Sequence, residues 1–127
     1  MTRHSLEELS ELKGFIGLAL VDSDSGIALT SIGGNGIINM EIAAAGNTEV
    51  LLAKRRVADQ LGIKNEIEDI LITLKEQYHM IRPLNSNRLL FLYIALDRRQ
   101  AHLPEARKRV LLFEKSLDFS YDSDHKL

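Results

Sequence analysis

Residues Leu89 to Leu96 read LLFLYIAL, a run with no charged residue and none of the usual turn formers. It is far shorter than the roughly 20 apolar residues a membrane-spanning helix needs. As a strand it has no side suited to water, so it belongs near the centre of a sheet covered on both faces. Counting Arg88 as its start, it is the last of three strand-like runs, after Asp69 to Lys75 and Tyr78 to Leu84. The connectors are only Glu76-Gln77 and Asn85-Ser86-Asn87. Parallel strands need a long crossover, so connectors this short make the three runs consecutive antiparallel neighbours.

The rest of the chain supplies two more strands and three helices. FIGLALV and IALTSI flank Asp22-Ser23-Asp24-Ser25-Gly26, a cluster of turn-forming residues that reads as a hairpin. Before it, Ser5 and Glu8 fit a capping box, and Leu6, Leu9 and Leu12 follow at helical spacing, predicting a short helix to about Lys13 that Gly14 ends. A middle helix is expected from about Asn39, its N-cap, to Leu61, with Gly62 as the stop. A last helix begins near Pro104 and buries Leu103, Ala106, Val110, Phe113 and Leu117. The expected fold is α+β: a five-stranded antiparallel sheet with helices on both faces, in the order α-β-β-α-β-β-β-α.

Between the hairpin and the middle helix stands SIGGNGIINM, glycine-rich and followed by a helix. A phosphate-binding P-loop would close on a Lys-Ser/Thr pair, and a dinucleotide fingerprint would put a third glycine where Asn39 stands. Neither is present, and the glycines are expected to form a connector.

At 100° per residue the middle helix carries two apolar stripes, more than one sheet requires. One is made of small residues, Ala43, Gly46, Val50, Ala53 and Val57. The other runs through Met40, Ala44, Leu51 and Ala58, interrupted by Asn47 and Lys54. Either both sit on one broad sheet-covering face, or one packs on the sheet and the other on a second copy in a symmetric dimer. The dimer is the expected arrangement, with Met40, Ala44, Leu51 and Ala58 assigned to the interface. On the opposite arc Leu52 projects among Thr48, Glu49, Arg55 and Arg56, an arrangement suited to a mixed apolar and basic contact patch.

No catalytic constellation stands out. The four histidines His4, His79, His102 and His125 lie far apart, without the paired spacing of a zinc helix, and there is no G-x-S-x-G elbow. Glu66, Glu68 and Asp69 are expected to guard a strand edge or solvate a loop rather than bind metal. Absence of cysteine excludes disulfides and thiolate sites. The formal net charge of −2 is accounted for by the stretch after Leu117, where Asp118, Asp122 and Asp124 face Lys126. A neutral body without a basic stripe argues against nucleic acid. With 127 residues, the expectation is one domain over 1–117 and a polar, disordered tail over 118–127. Neither a membrane span nor a signal-peptide layout is evident, so the expected location is the cytoplasm.

Taken in order, LKGFIGLALVDSDSGIAL (Leu12 to Leu29), EIAAAGNTEVLLAKRRVADQLG (Glu41 to Gly62), EIEDILITLKEQYHMIRPL (Glu66 to Leu84) and LLFLYIALDRRQAHLPEARKRV (Leu89 to Val110) resemble the Roadblock and dynein light chain family. Two positions depart from that pattern: Ser25 before Gly26, and Pro104 where glycine is common. The resemblance implies a profilin-like sandwich that homodimerises, its middle helices packing together and the strand of Asp69, Ile70, Leu71, Ile72 and Thr73 extending one sheet across both copies. It also implies a non-enzymatic regulator or scaffold that binds a small Ras-like GTPase, since some bacterial members stimulate GTP hydrolysis. Thr48, Glu49, Leu52, Arg55 and Arg56 are the expected contacts; no cofactor, metal or membrane is called for. The alternatives are a small-ligand sensor and a purely structural dimer within a larger complex.

Overall fold

A computed structural model describes the backbone of residues 2–125 and the side chains from Leu6 to Ser116. The elements are α1 (Thr2–Leu9), β1 (Phe15–Asp22), β2 (Ile27–Gly33), α2 (Met40–Gln60), β3 (Ile70–Thr73), β4 (Gln77–Pro83), β5 (Leu90–Asp97) and α3 (Leu103–His125). All pairings are antiparallel and the sheet order is β2-β1-β5-β4-β3. This is the expected α+β order, with the all-apolar strand β5 in the middle of the sheet.

Period-two alternation divides β5 between two core layers. Leu92, Ile94 and Leu96 pack with Leu18, Met80, Leu6 and Leu9 of α1, and Ala106, Val110 and Phe113 of α3. Phe91, Tyr93 and Ala95 point the other way, against Ala19, Val21 and Ile81 and against Met40, Ala44 and Leu51 of α2. Each large side chain so buried contributes about 1.5–3 kcal/mol, and from Leu90 to Leu96 the one polar side-chain atom is the Tyr93 hydroxyl.

Three boundaries differ from the sequence expectation. The helix α1 starts at Thr2 and ends at Leu9, so Ser5 falls inside it, not at its N-cap, and Gly14 stands beyond the turns that follow it. The strand β3 is only four residues long and starts after Asp69. The backbone of α3 runs to His125, into the stretch that composition marks as a polar tail; the side chains of that stretch, and of Leu117, lie outside the described residues.

The glycine-rich loop lets the edge strand β2 turn back towards α2. Gly33 and Gly34 have φ of +81° and +89°, and a Cβ on either would stand 2.5 Å from a carbonyl oxygen, of Ile16 and Ile38 respectively. Only glycine accommodates both constraints at once.

Candidate functional site

Both ends of α2 are fixed locally. At the start, Asn39 Oδ1 accepts from the backbone N–H groups of Glu41 at 3.0 Å and Ile42 at 3.1 Å, so these first-turn donors are taken up by the chain itself. At the end, Gly62, with φ of +72°, donates to the Asp59 carbonyl, and Ile63 donates to that of Ala58 at 2.9 Å. This pair of bonds is a Schellman stop. The result is a helix of 21 residues with only Met40, Ala44, Thr48 and Leu51 buried.

That buried stripe overturns part of the interface assignment. Met40, Ala44 and Leu51 are at most 8% exposed and face the sheet within one chain, leaving no surface for a second copy; Ala58, on the same stripe, is half-buried. The reason is position. The helix crosses the β1–β2 half of the sheet, with Gly26 packed close under Ala45 and Thr48. Thr48 is likewise removed from the partner surface, being buried with its hydroxyl donating to the Ala44 carbonyl at 2.7 Å. Asp69 precedes β3, and its carboxylate is spent on Arg82 and Arg107 of the same chain, at 3.5 and 3.4 Å. These two pairs also replace the expectation that Asp69 guards a strand edge.

The remaining residues divide into two outward faces. Glu49, Leu52 and Arg56 lie at steps of three and four on one exposed face. Arg55 is half-buried and turned aside, its Nη2 donating to the Arg88 carbonyl at 3.3 Å. On the other face the small-residue stripe is open: Gly46, Val50 and Val57 are exposed, Ala43 and Ala53 half-buried. Gly26 packs by Ala45 and Thr48, on the other flank of the helix, whereas Ala43 of this stripe and Ile70 of the edge strand β3 pack against the same core cluster, and Ile70 and Ile72 are only half-buried.

On the same sheet face, His79 stacks edge-on to Tyr93, with ring centroids 5.5 Å apart. The Tyr93 hydroxyl lies 3.1 Å from His79 Nδ1 and His79 Nε2 lies 2.7 Å from Gln77 Oε1; an amide oxygen only accepts, which assigns the ring proton to Nε2 and, in the neutral imidazole, leaves Nδ1 to accept from the hydroxyl. Burial lowers the His79 pKa below 6.5 and pushes the Tyr93 phenol up to about 12. Because the folded histidine binds its proton less readily than the unfolded one, the stabilisation is complete above pH 6.5 and is lost as pH falls from there through the folded pKa. Urea unfolding from pH 7.5 to 5 is expected to show a loss of stability that His79→Gln reduces; an identical slope in the variant would remove this assignment.

Sequence reasoning missed a buried charge network. Glu114, on α3, is 1% exposed; its Oε1 accepts from Arg82 Nε and its Oε2 from the Asn85 backbone N–H, both at 2.7 Å. The available signal was positional: Glu114 stands four residues after Val110, on the helix's apolar side. Among the described residues, no group of three His, Asp or Glu side chains gathers as a metal site would need, and no helix is long and apolar enough to cross a membrane.

No protein-family model matches the sequence, and no curated protein matches it. Solved structures do. Myxococcus xanthus MglB superposes with a TM-score of 0.83 at 19% identity, over 96% of this chain and 95% of that one. The gliding protein MglB from Thermus thermophilus gives 0.76 at 15% identity, over 92% and 85%. A Roadblock/LC7 domain from Streptomyces avermitilis gives 0.75 at 11% identity, over 92% and 93%. At these identities what is shared is the fold, and it is the Roadblock/LC7 fold that the sequence resemblance implied.

Proposed function

We propose that this protein is a homodimeric, non-enzymatic regulator or scaffold that binds a small Ras-like GTPase in the cytoplasm. The observation that carries this reading is the outer surface of α2, an exposed small-residue stripe beside an open, uncharged edge strand. Gly46, Val50 and Val57 allow close approach of a second α2, and Ile70, Leu71 and Ile72 offer strand edges for pairing across a two-fold axis. The adjacent face, Glu49, Leu52 and Arg56, then remains free in the dimer, with an apolar anchor between charges of both signs. Roadblock-type architecture, taken with the family resemblance, supports a GTPase as the partner.

Affinity capture with the protein as bait, comparing a non-hydrolysable GTP analogue with GDP, tests the partner class. Enrichment of a Ras-like GTPase with the analogue is the expected result, and a hydrolysis assay with that GTPase then asks whether the protein stimulates turnover. Nucleotide-independent capture of other proteins alone would instead favour a structural scaffold. Leu52→Asp is expected to weaken GTPase binding by about tenfold or more while the dimer persists, because it places a charge at the centre of the contact without touching the core. Unfolding or dissociation of that variant would show that Leu52 serves the fold or the dimer instead.

A further inference from the structure

A cleft of about 370 Å³ opens where α2 ends, lined in part by Arg55, Asp59, Lys64, Glu66 and Arg88. Its two arginines come from elements far apart in sequence, and the Arg55 side chain is held by a main-chain carbonyl at Arg88, not by an acidic group. Arg88 pairs with Glu66 at 3.2 Å, an exposed contact; among the described residues Arg55 has no carboxylate within 4.0 Å. A guanidinium carries five N–H donors in a planar fork matched to an oxyanion. Here one such fork is half-buried beside a second arginine; desolvation and then the Arg88 charge disfavour its charged form, and the Glu66 charge offsets them only in part, leaving the pKa lowered.

We propose that this cleft is a carboxylate-binding site, with Arg55 and Arg88 taking an aspartate or glutamate side chain of a protein partner between them. Charge selects the ligand. Three cations against Asp59 and Glu66 leave a surplus of one positive charge, which a single carboxylate neutralises. A phosphate dianion would overcompensate and meet both resident carboxylates. An arriving carboxylate removes the repulsion between the two arginines and fills donors of Arg55 that the chain leaves unused, so its binding is favoured by more than simple proximity. The site deepens the partner reading above and rests on it only for the identity of the protein that brings the acidic residue. It sits beside the Glu49, Leu52 and Arg56 face on the same helix, so one partner loop can reach both.

The test uses the full chain alone, with no GTPase present, so that its failure is separate from failure of the partner assignment. A capped Gly-Glu-Gly peptide, which brings one carboxylate, is titrated into isotope-labelled protein while the arginine Nε–H resonances are followed by NMR, with the capped Gly-Gln-Gly peptide and inorganic phosphate as parallel probes. Saturable shifts at Arg55 and Arg88 with the glutamate peptide, absent with glutamine and weaker with phosphate, are expected. Arg55→Gln and Arg88→Gln should each weaken the interaction about tenfold, and Arg99→Gln, an exposed change elsewhere, should not alter it. Both arginine variants alter partly or fully exposed side chains, and unchanged circular dichroism confirms that they fold. Tighter binding of phosphate than of the glutamate peptide would overturn the carboxylate assignment. Equal binding by the arginine variants, or no shift at either arginine, would overturn the site.

Discussion

Glu114→Ala is expected to destabilise the fold by about 3–5 kcal/mol, the cost of leaving one member of a buried charge pair without its partner. The change removes the acceptor for Arg82 Nε and for the Asn85 amide together, both at 2.7 Å, in a place that water does not reach. Arg82 would keep only its longer contact to Asp69, at 3.5 Å. Against a total stability of about 5–15 kcal/mol for a domain of this kind, that loss is large enough to shift a urea midpoint unmistakably. Glu114→Gln should lose less, because a neutral oxygen still accepts one of the two bonds. The double change Arg82→Met with Glu114→Leu should recover part of the alanine loss, since neither member of the buried pair is then left without its partner and Asp69 keeps Arg107 at 3.4 Å. A Glu114→Ala protein within about 1 kcal/mol of the parent would mean that the network is solvated and energetically idle.

Val57→Glu is expected to convert the proposed dimer into a monomer that still folds. Val57 is 42% exposed in the single chain, so the substitution leaves the core intact, whereas a two-fold axis would bring the new carboxylate into an apolar contact in both copies. A penalty of about 3 kcal/mol, or roughly a hundredfold in the dimer dissociation constant, is the expected scale. Sedimentation equilibrium over a concentration series measures it directly, and Leu52→Asp serves as the comparison because its side chain lies on the neighbouring face. A parent protein that stays monomeric at high concentration would refute the dimer. So would a Val57→Glu protein that dimerises as well as the parent, because the interface would then lie elsewhere.

Several features of this chain are legible without its structure because their causes are local. Connectors read as two and three residues in the sequence, and spanning residues 74–76 and 84–89 in the structure, are too short for a parallel crossover, so β3, β4 and β5 are antiparallel neighbours. Asn39 and Gly62 mark the ends of α2 because helix ends need a side-chain acceptor at one terminus and a left-handed residue at the other. An unbroken apolar strand has to be central because both of its faces are covered. The face of α2 that meets the sheet was decided elsewhere. Its two stripes have the same period and similar hydrophobicity, so periodicity alone cannot rank them; the choice followed from α2 crossing β1 and β2, which buried Met40, Ala44 and Leu51 and turned Val50 and Val57 outwards. The pairing of Arg82 with Glu114, and the meeting of Arg55 with Arg88, were equally hidden, joining residues more than 30 positions apart. Burial in a shared interior or a shared cleft gives such charges their meaning, and only the assembled sheet and its packed helices bring them together.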